Sequence, residues 1–376
     1  MKKMLAIISA LLLLTLMVSC TPSARSDTPN KADGSNNTSS TGSAYTPALI
    51  DYYAESGYLE LPVSGASGYA SVSLYVYAWD NTYLATLYPG QGFTILSESG
   101  GWWEIEFDGT VGWVEHASCM INLPDVIPSI VYNNTNTYAS KMRSSGIAIP
   151  NVTGLKLYDA YGYNARFDKD QYIMPVLYST AIRICWAQHA ALEEGDTLII
   201  YEAFRPYEPQ QRIYTNLTAL INSNPVVSSG VSIPPWSISW FILAGTSNHQ
   251  VGYAMDVSLG KAYEQEKRVL GNYVYQETTF WKEYVMPTPI HDLSYASTVF
   301  TQPLNPYTDD WLYASYAGTM NAPAILLQDY CTYAGMTPLA SEWWHFNDNV
   351  SRVVVEPFGG NGNYYISQTY SVPPLD

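Results

Sequence analysis

Residues 247–259, SNHQVGYAMDVSL, decide how this chain is read. They hold His249 and Asp256 around Gly252, a residue that lets the backbone turn tightly between them. From Ala254 onward the apolar run predicts a strand, on which Asp256 faces away from Met255 and Val257. Far downstream, residues 341–346, SEWWHF, add Glu342 and His345. Two imidazoles and two carboxylates are the parts of a catalytic zinc centre: three ligands, one base and an open corner for water. The chain has 5 His in all, so finding two of them in these short stretches is a concentration. Taken singly, His249 reads as a turn residue, Asp256 as a strand-end cap, and the Trp343-Trp344 pair as core. Glu342 and His345 would fall on opposite faces of a flat strand, so both serve one site only if Glu342 lies in the preceding turn. Pro338 and Ser341 favour that turn.

Working outward, the fold class is α+β. Residues 179–192 (STAIRICWAQHAAL) have helical spacing and a Glu-Glu-Gly stop. Residues 196–203 (DTLIIYEA) form a strand with Arg205-Pro206 at its end, and a helix follows over 209–222. Strands are expected at 254–259 and 343–346, and a helix over 322–335 with Gly335 as its stop. Residues 260–300 read as a long irregular excursion beside the site. Upstream, short alternating runs (SVSLYVYA, FTILSE, WWEIEF, VGWVE) are broken by Pro89-Gly90, Ser99-Gly100-Gly101 and Asp108-Gly109. That rhythm predicts a small all-β barrel. Pro124 and Pro128 mark the boundary after it. A length of 376 residues accommodates two folded units.

Composition sets further bounds. A net charge of −16 opposes nucleic acid as a partner, because phosphates call for a basic surface. The 33 Tyr and 11 Trp suit cores as well as grooves facing carbohydrate or peptide, and sequence alone does not separate these. Lys2 and Lys3, an apolar run over 4–18 and a small residue before Cys20 have the layout of a secretory signal over 1–20. Residues 21–48, rich in Ser, Thr, Asn, Pro and Gly, cannot bury a core and read as a flexible tether. Of the remaining cysteines, Cys119, Cys185 and Cys331 form no metal knuckle and read as buried small hydrophobes; a bond between Cys185 and Cys331 stays open.

Three resemblances extend this reading. Met17-Val18-Ser19-Cys20 resembles a bacterial lipoprotein box, with Met where Leu is usual. It implies a Cys20-lipidated protein, extracytoplasmic, anchored to the bacterial cell membrane and facing the cell wall. The order YPGQGFTILSESGGWWEIEFDGTVGWVE resembles bacterial SH3-like wall-associated domains and implies such a domain over 66–123. Its expected ligand is peptidoglycan or peptide, through aromatics among which Trp102, Trp103 and Trp113 are candidates, although each Trp alone reads as barrel core.

SxHxxGxAxD followed by EWWHF is similar to the zinc D-alanyl-D-alanine peptidases, the dipeptidases and carboxypeptidases of the vancomycin-resistance type. The resemblance implies a zinc D,D-peptidase domain over 130–376, with one Zn²⁺ held by His249, Asp256 and His345 and with Glu342 as general base. It also places Arg205, in YEAFRPYEPQ, at the developing oxyanion, a role that suits a permanently charged, forked guanidinium. Ser247 matches a dipeptidase Ser that helps hold substrate. The family's dipeptidases grip the substrate ammonium with an Asp; here MPTPIHDLS offers His291, with Asp292 next to it. A neutral imidazole grips an ammonium less firmly. Either Asp292 takes the role or a free amino terminus is not required. EWWHF, FRP and MPTPIHDLS lean to the dipeptidases, and HQVGYAMDV to the carboxypeptidases. The implied activity is zinc-dependent, dipeptidase-like hydrolysis of D-Ala-D-Ala-type bonds in peptidoglycan precursors, stems or fragments. A D,D-carboxypeptidase or stem-peptide endopeptidase is the alternative, and a wall-binding lipoprotein with a degenerate peptidase fold is the non-enzyme alternative.

Overall fold

The computed structural model describes residues 49–51, 59–356 and 363–375. The expected signal (1–20), the tether (21–48) and Cys20 lie outside the described residues. Among the described residues no helix is long and apolar enough to cross a membrane.

From Ile50 onward the chain forms one compact unit. Its first part is an SH3-like sheet region built from antiparallel strands at Ser67–Ala70, Leu74–Tyr77, Tyr83–Leu87, Gly92–Ser99, Trp102–Phe107, Thr110–Glu115 and Cys119–Asn122. Turn chemistry sets the register. Asp108 and Gly109 both adopt positive φ, which is what a two-residue hairpin loop between Phe107 and Thr110 demands. Alternation then sends Trp103, Ile105 and Val114 into the core and leaves Trp102 at the surface. Trp113 is partly buried and lies 5.0 Å from the ring of Trp79, which is 77% exposed. Trp103 is therefore a core residue, whereas Trp79, Trp102 and Trp113 offer aromatic surface.

This sheet does not end at Leu123. Pro175–Leu177, from the following region, pairs antiparallel with Cys119–Asn122. The stretch around Pro124 is a buried helical turn, Leu123–Val126. Its Asp125 accepts hydrogen bonds from Ser67 N (2.9 Å), Asn164 Nδ2 (2.6 Å) and Ser371 Oγ (2.6 Å). The C-terminal segment 363–375 thus runs back across the barrel, where Thr94 Oγ1 also donates to the Tyr370 carbonyl at 2.6 Å.

The second part centres on a sheet in the order Ile50–Asp51, Tyr273–Glu283, Ala254–Leu270, Asp196–Glu202, Val131–Tyr132. His345–Asn347 pairs with Ala254–Asp256 and with Thr337–Pro338. Asp196–Glu202 is buried along its whole length. Helix Tyr178–Glu193 packs on that strand, and helix Ala322–Tyr333 packs on the helix. Helix Tyr207–Ser223 follows Arg205-Pro206.

Two expectations need correcting. The excursion over 260–300 is largely a long antiparallel hairpin. Ala254–Leu270 pairs with Tyr273–Glu283 around a Gly271-Asn272 loop in which Gly271 has a φ of 57°. Its outer half is exposed and polar on both faces, so the apolar alternation that marks a half-buried strand is missing. Residues 284–300 pack inward, with Ile290, Leu293, Val299 and Phe300 buried. The strand expected at 343–346 is His345–Asn347; Trp343 and Trp344 belong to the turn before it and are buried.

Candidate metal centre

Sheet register assembles the site. The Cα partners of Asp256 are Glu202 on one side and His345 on the other. Paired residues project to the same face, so three side chains separated widely in sequence meet there. His249 arrives from a single helical turn, Asn248–Val251, which Gly252 closes at a φ of 89°. A Cβ at Gly252 would also stand 2.8 Å from Met120 Sδ, so the turn needs glycine for both its conformation and its space.

The donor atoms converge. Asp256 Oδ1 lies 2.9 Å from His345 Nδ1 and 3.3 Å from His249 Nε2, and the two nitrogens are 3.2 Å apart. Ligands about 2.0–2.1 Å from a zinc ion stand roughly 3.3 Å apart at tetrahedral corners. The far side of each ring supports this use. His249 Nδ1 donates to the Ala203 carbonyl at 2.8 Å. His345 Nε2 donates at 3.1 Å to Asn347 Oδ1, an oxygen that Asn248 Nδ2 also engages at 2.8 Å. Each outer nitrogen carries the hydrogen, so the inner nitrogens point lone pairs at each other and at a carboxylate oxygen. Three lone pairs within van der Waals reach need positive charge between them, a shared proton or a metal cation. The donor set fits zinc. When the positive charge is a proton shared by the inner nitrogens, burial opposes the charge on Asp256, but the charge on His249 and the hydrogen bonds from His249, His291 and His345 outweigh it and hold the carboxyl well below its ordinary range.

Glu342 sits in the turn before His345, and its carboxylate is 3.9 Å from His345 Nδ1. It stands beside the donor set without joining it. Burial pushes its carboxyl up to about 8, with His345 pulling down and Asp256 pushing up. Arg205 lies behind Asp256, its Nη2 3.2 Å from Oδ2. It is held by Glu202, through Nε at 2.8 Å and Nη2, and by Gln210 Oε1 at 2.7 Å. Glu202 in turn accepts from Asn136 Nδ2 (2.7 Å) and Tyr158 OH (2.5 Å). Burial disfavours the Glu202 charge, and Arg205 more than offsets it, so its carboxyl stays below the usual range. Glu202, Asp256 and His291 form a second acidic-imidazole cluster, but the Arg205 guanidinium already occupies the space between its two carboxylates.

The structure thus brings together His249, Asp256, His345, Glu342 and Arg205. Ser247 caps the His249 turn, and its buried Oγ has no partner. His291 touches Asp256 from behind. Asp292 is not with them, since it turns away to accept from Gly146 N at 2.9 Å. Sequence reasoning missed Glu202 and Asn347, which hold Arg205 and His345. Parity was the available signal: Asn347 lies two residues after His345 on a strand and so shares its face.

Two family models match the chain. One, described as D-alanyl-D-alanine carboxypeptidase (VanY), covers residues 180–283. The other, described as bacterial SH3 domain, covers residues 80–119. The chain therefore carries a VanY-type domain with a bacterial SH3 domain on its N-terminal side. The first match spans Arg205, Ser247, His249 and Asp256 but ends before His291, Glu342 and His345. No curated protein matches the chain. These matches support a peptidase acting on peptidoglycan-related peptides outside the cytoplasm.

Proposed function

We propose that the chain is a zinc-dependent D,D-peptidase of the carboxypeptidase type, which removes the terminal D-alanine from stem peptides of the cell wall. The observation that carries this reading is the convergence of His249 Nε2, Asp256 Oδ1 and His345 Nδ1 at tetrahedral spacing. His249, Asp256 and His345 would hold the zinc, which when bound would supply a Lewis acid and a water of lowered pKa. Glu342 takes a proton from the attacking water as its oxygen bonds to the scissile carbonyl carbon. The same carboxyl then delivers that proton to the leaving amine as the C–N bond breaks. Arg205, which the resemblance assigns to the developing oxyanion, contributes fixed positive charge to the site from behind Asp256, with Glu202 and Gln210 setting its fork. Ser247, which the resemblance assigns to holding substrate, starts the His249 turn with its Oγ buried and unpartnered. A carboxypeptidase is favoured over a dipeptidase because the family model matched over residues 180–283 is that of a D-alanyl-D-alanine carboxypeptidase, and because His291, at the place of the dipeptidase Asp, turns its ring to Asp256.

Lipidation at Cys20 and the tether over 21–48 would place the enzyme above the membrane. The SH3-like region would hold it on the polymer and raise its local concentration there. Mass spectrometry of muropeptides digested by zinc-loaded protein tests the reading: loss of a single D-Ala is expected. Release of D-Ala-D-Ala, or cleavage further in, would replace the carboxypeptidase assignment. Zinc-free protein that refuses added zinc would favour a wall-binding protein with a degenerate site.

A further inference from the structure

The hydrolytic steps above make no use of His291, although its ring is fully buried and lies against the proposed metal-ligating carboxylate. The two oxygens of Asp256 have different company. Oδ1 faces the inner nitrogens of His249 and His345. Oδ2 faces Arg205 Nη2 at 3.2 Å and His291 Nε2 at 3.1 Å. A guanidinium is always a donor, so Oδ2 is an accepting oxygen, and the His291 nitrogen that meets it carries its hydrogen.

The ring is not free to leave. It makes edge contacts with Tyr201 (6.3 Å, 76°) and Trp344 (5.9 Å, 81°). Its backbone sits at a φ of +64°, a region seldom entered by residues with a Cβ, and its carbonyl accepts from Arg143 N at 3.0 Å. That conformation directs His291 toward Asp256 and lets the chain send Asp292 the other way.

We infer that His291 is a positioning residue, which donates Nε2–H to the outer oxygen of Asp256 so that Oδ1 alone points at the metal. The inference rests on the proposed zinc centre. It also reassigns His291, which the sequence suggested for gripping the substrate's amino end. An unrestrained carboxylate can turn and present both oxygens to a metal, closing the corner that water needs. Arg205 supplies one donor from one direction, and a second donor from another direction fixes the carboxylate plane. Loss of such an outer partner typically costs about 10- to 100-fold in metal affinity.

The test uses full-length protein stripped of metal, titrated with Zn²⁺ against a chromophoric chelator and, separately, loaded with Co²⁺ for its visible spectrum. His291→Phe keeps an aromatic ring but has no donor, whereas His291→Gln places an amide N–H near the position of Nε2. The Phe variant should bind zinc about 10- to 100-fold more weakly and give the weaker Co²⁺ absorption of a higher-coordinate ion. The Gln variant should remain within a few-fold of wild type on both readouts. Wild-type affinity and spectrum in His291→Phe would overturn the inference, as would equal losses in both variants, which mean a packing role. If the Phe variant does not fold, His291→Leu is judged by the same outcomes. A wild-type protein that takes up no zinc sinks the zinc centre itself, while zinc uptake that is indifferent to residue 291 sinks only the positioning role.

Discussion

Glu342→Gln is the substitution that separates the proposed base from the proposed ligands. The Glu342 carboxylate lies 3.9 Å from His345 Nδ1, inside the site but outside the three-atom donor set. The amide has nearly the same shape, so packing under the buried Trp343-Trp344 turn should survive. Without a base, kcat should fall about 10²- to 10⁴-fold, which is roughly 2.7–5.5 kcal/mol of transition-state stabilisation. Zinc stoichiometry should stay at one per chain, with affinity somewhat weaker because a neighbouring negative charge is gone. Stripped of metal, the same pair of proteins should differ in pH dependence. A carboxyl whose pKa is raised on folding contributes fully below its unfolded value and loses that contribution as pH rises through the folded value. For Glu342 that window runs from 4.5 to about 8. Metal-free wild type should therefore lose stability across it, on the order of 5 kcal/mol at most, and the Gln variant should lose less. Bound zinc favours the carboxylate and should shrink the difference. Steady-state release of D-Ala, metal analysis and denaturant midpoints at several pH values read all three effects. A Gln variant with full turnover would refute the reasoning, and so would one that no longer binds zinc.

Further outcomes follow from other contacts. Chelation should abolish turnover and added Zn²⁺ restore it; activity that persists in metal-free protein argues against the centre. Arg205→Lys keeps a charge but cannot reproduce the fork that engages Glu202, Gln210 and Asp256 together, so kcat/KM should fall by about 10- to 10³-fold and zinc should bind more weakly, as Asp256 Oδ2 loses its guanidinium donor. Asp125→Ala removes the shared acceptor of Ser67 N, Asn164 Nδ2 and Ser371 Oγ, leaving buried donors unpaired. It should destabilise the fold by about 3–5 kcal/mol in a denaturant titration; a loss under 1 kcal/mol would mean that water takes over those donors.

The site was legible in sequence because its pieces sit on local signals. His249 and Asp256 flank a glycine that the structure places at a φ of 89°, and His345 begins a strand directly after the turn that holds Glu342. What sequence could not supply was register. Nothing in YEAFRP announces that Glu202 lies beside Asp256, because that neighbourhood depends on how two strands align. The place of His291 in MPTPIHDLS suggests a group facing substrate; its turn toward Asp256 depends on a positive φ that a histidine rarely adopts. The long hairpin was hidden for a different reason. A strand solvated on both faces loses the two-residue apolar rhythm, and residues such as Glu264, Glu266, Lys267 and Arg268 look like a loop.

The least legible feature is how the SH3-like region meets the peptidase site. Four groups outside the matched stretch 180–283 hold the backbone of the His249 turn. Ser71 Oγ donates to the Val251 carbonyl at 3.0 Å, and Tyr364 OH donates to the Gln250 carbonyl at 2.7 Å. Leu177 N donates to the Gly252 carbonyl at 2.7 Å, and Met120 fills the space where a Cβ at Gly252 would stand. Ser71 and Met120 belong to the SH3-like region, Leu177 to the strand that joins its sheet, and Tyr364 to the C-terminal segment. The His249 turn is a single helical turn, too short to hold its own geometry, so these contacts supply the order. Gly252→Ala tests the dependence, since it forces a Cβ into positive φ and against Met120 Sδ together. It should destabilise the fold by about 1–3 kcal/mol and weaken zinc binding, because His249 rides on that turn. A Gly252→Ala protein with wild-type zinc affinity would mean that the His249 side chain is held by its Ala203 hydrogen bond alone. Through Ser71 and Met120 the SH3-like region is part of the scaffold on which the His249 turn rests.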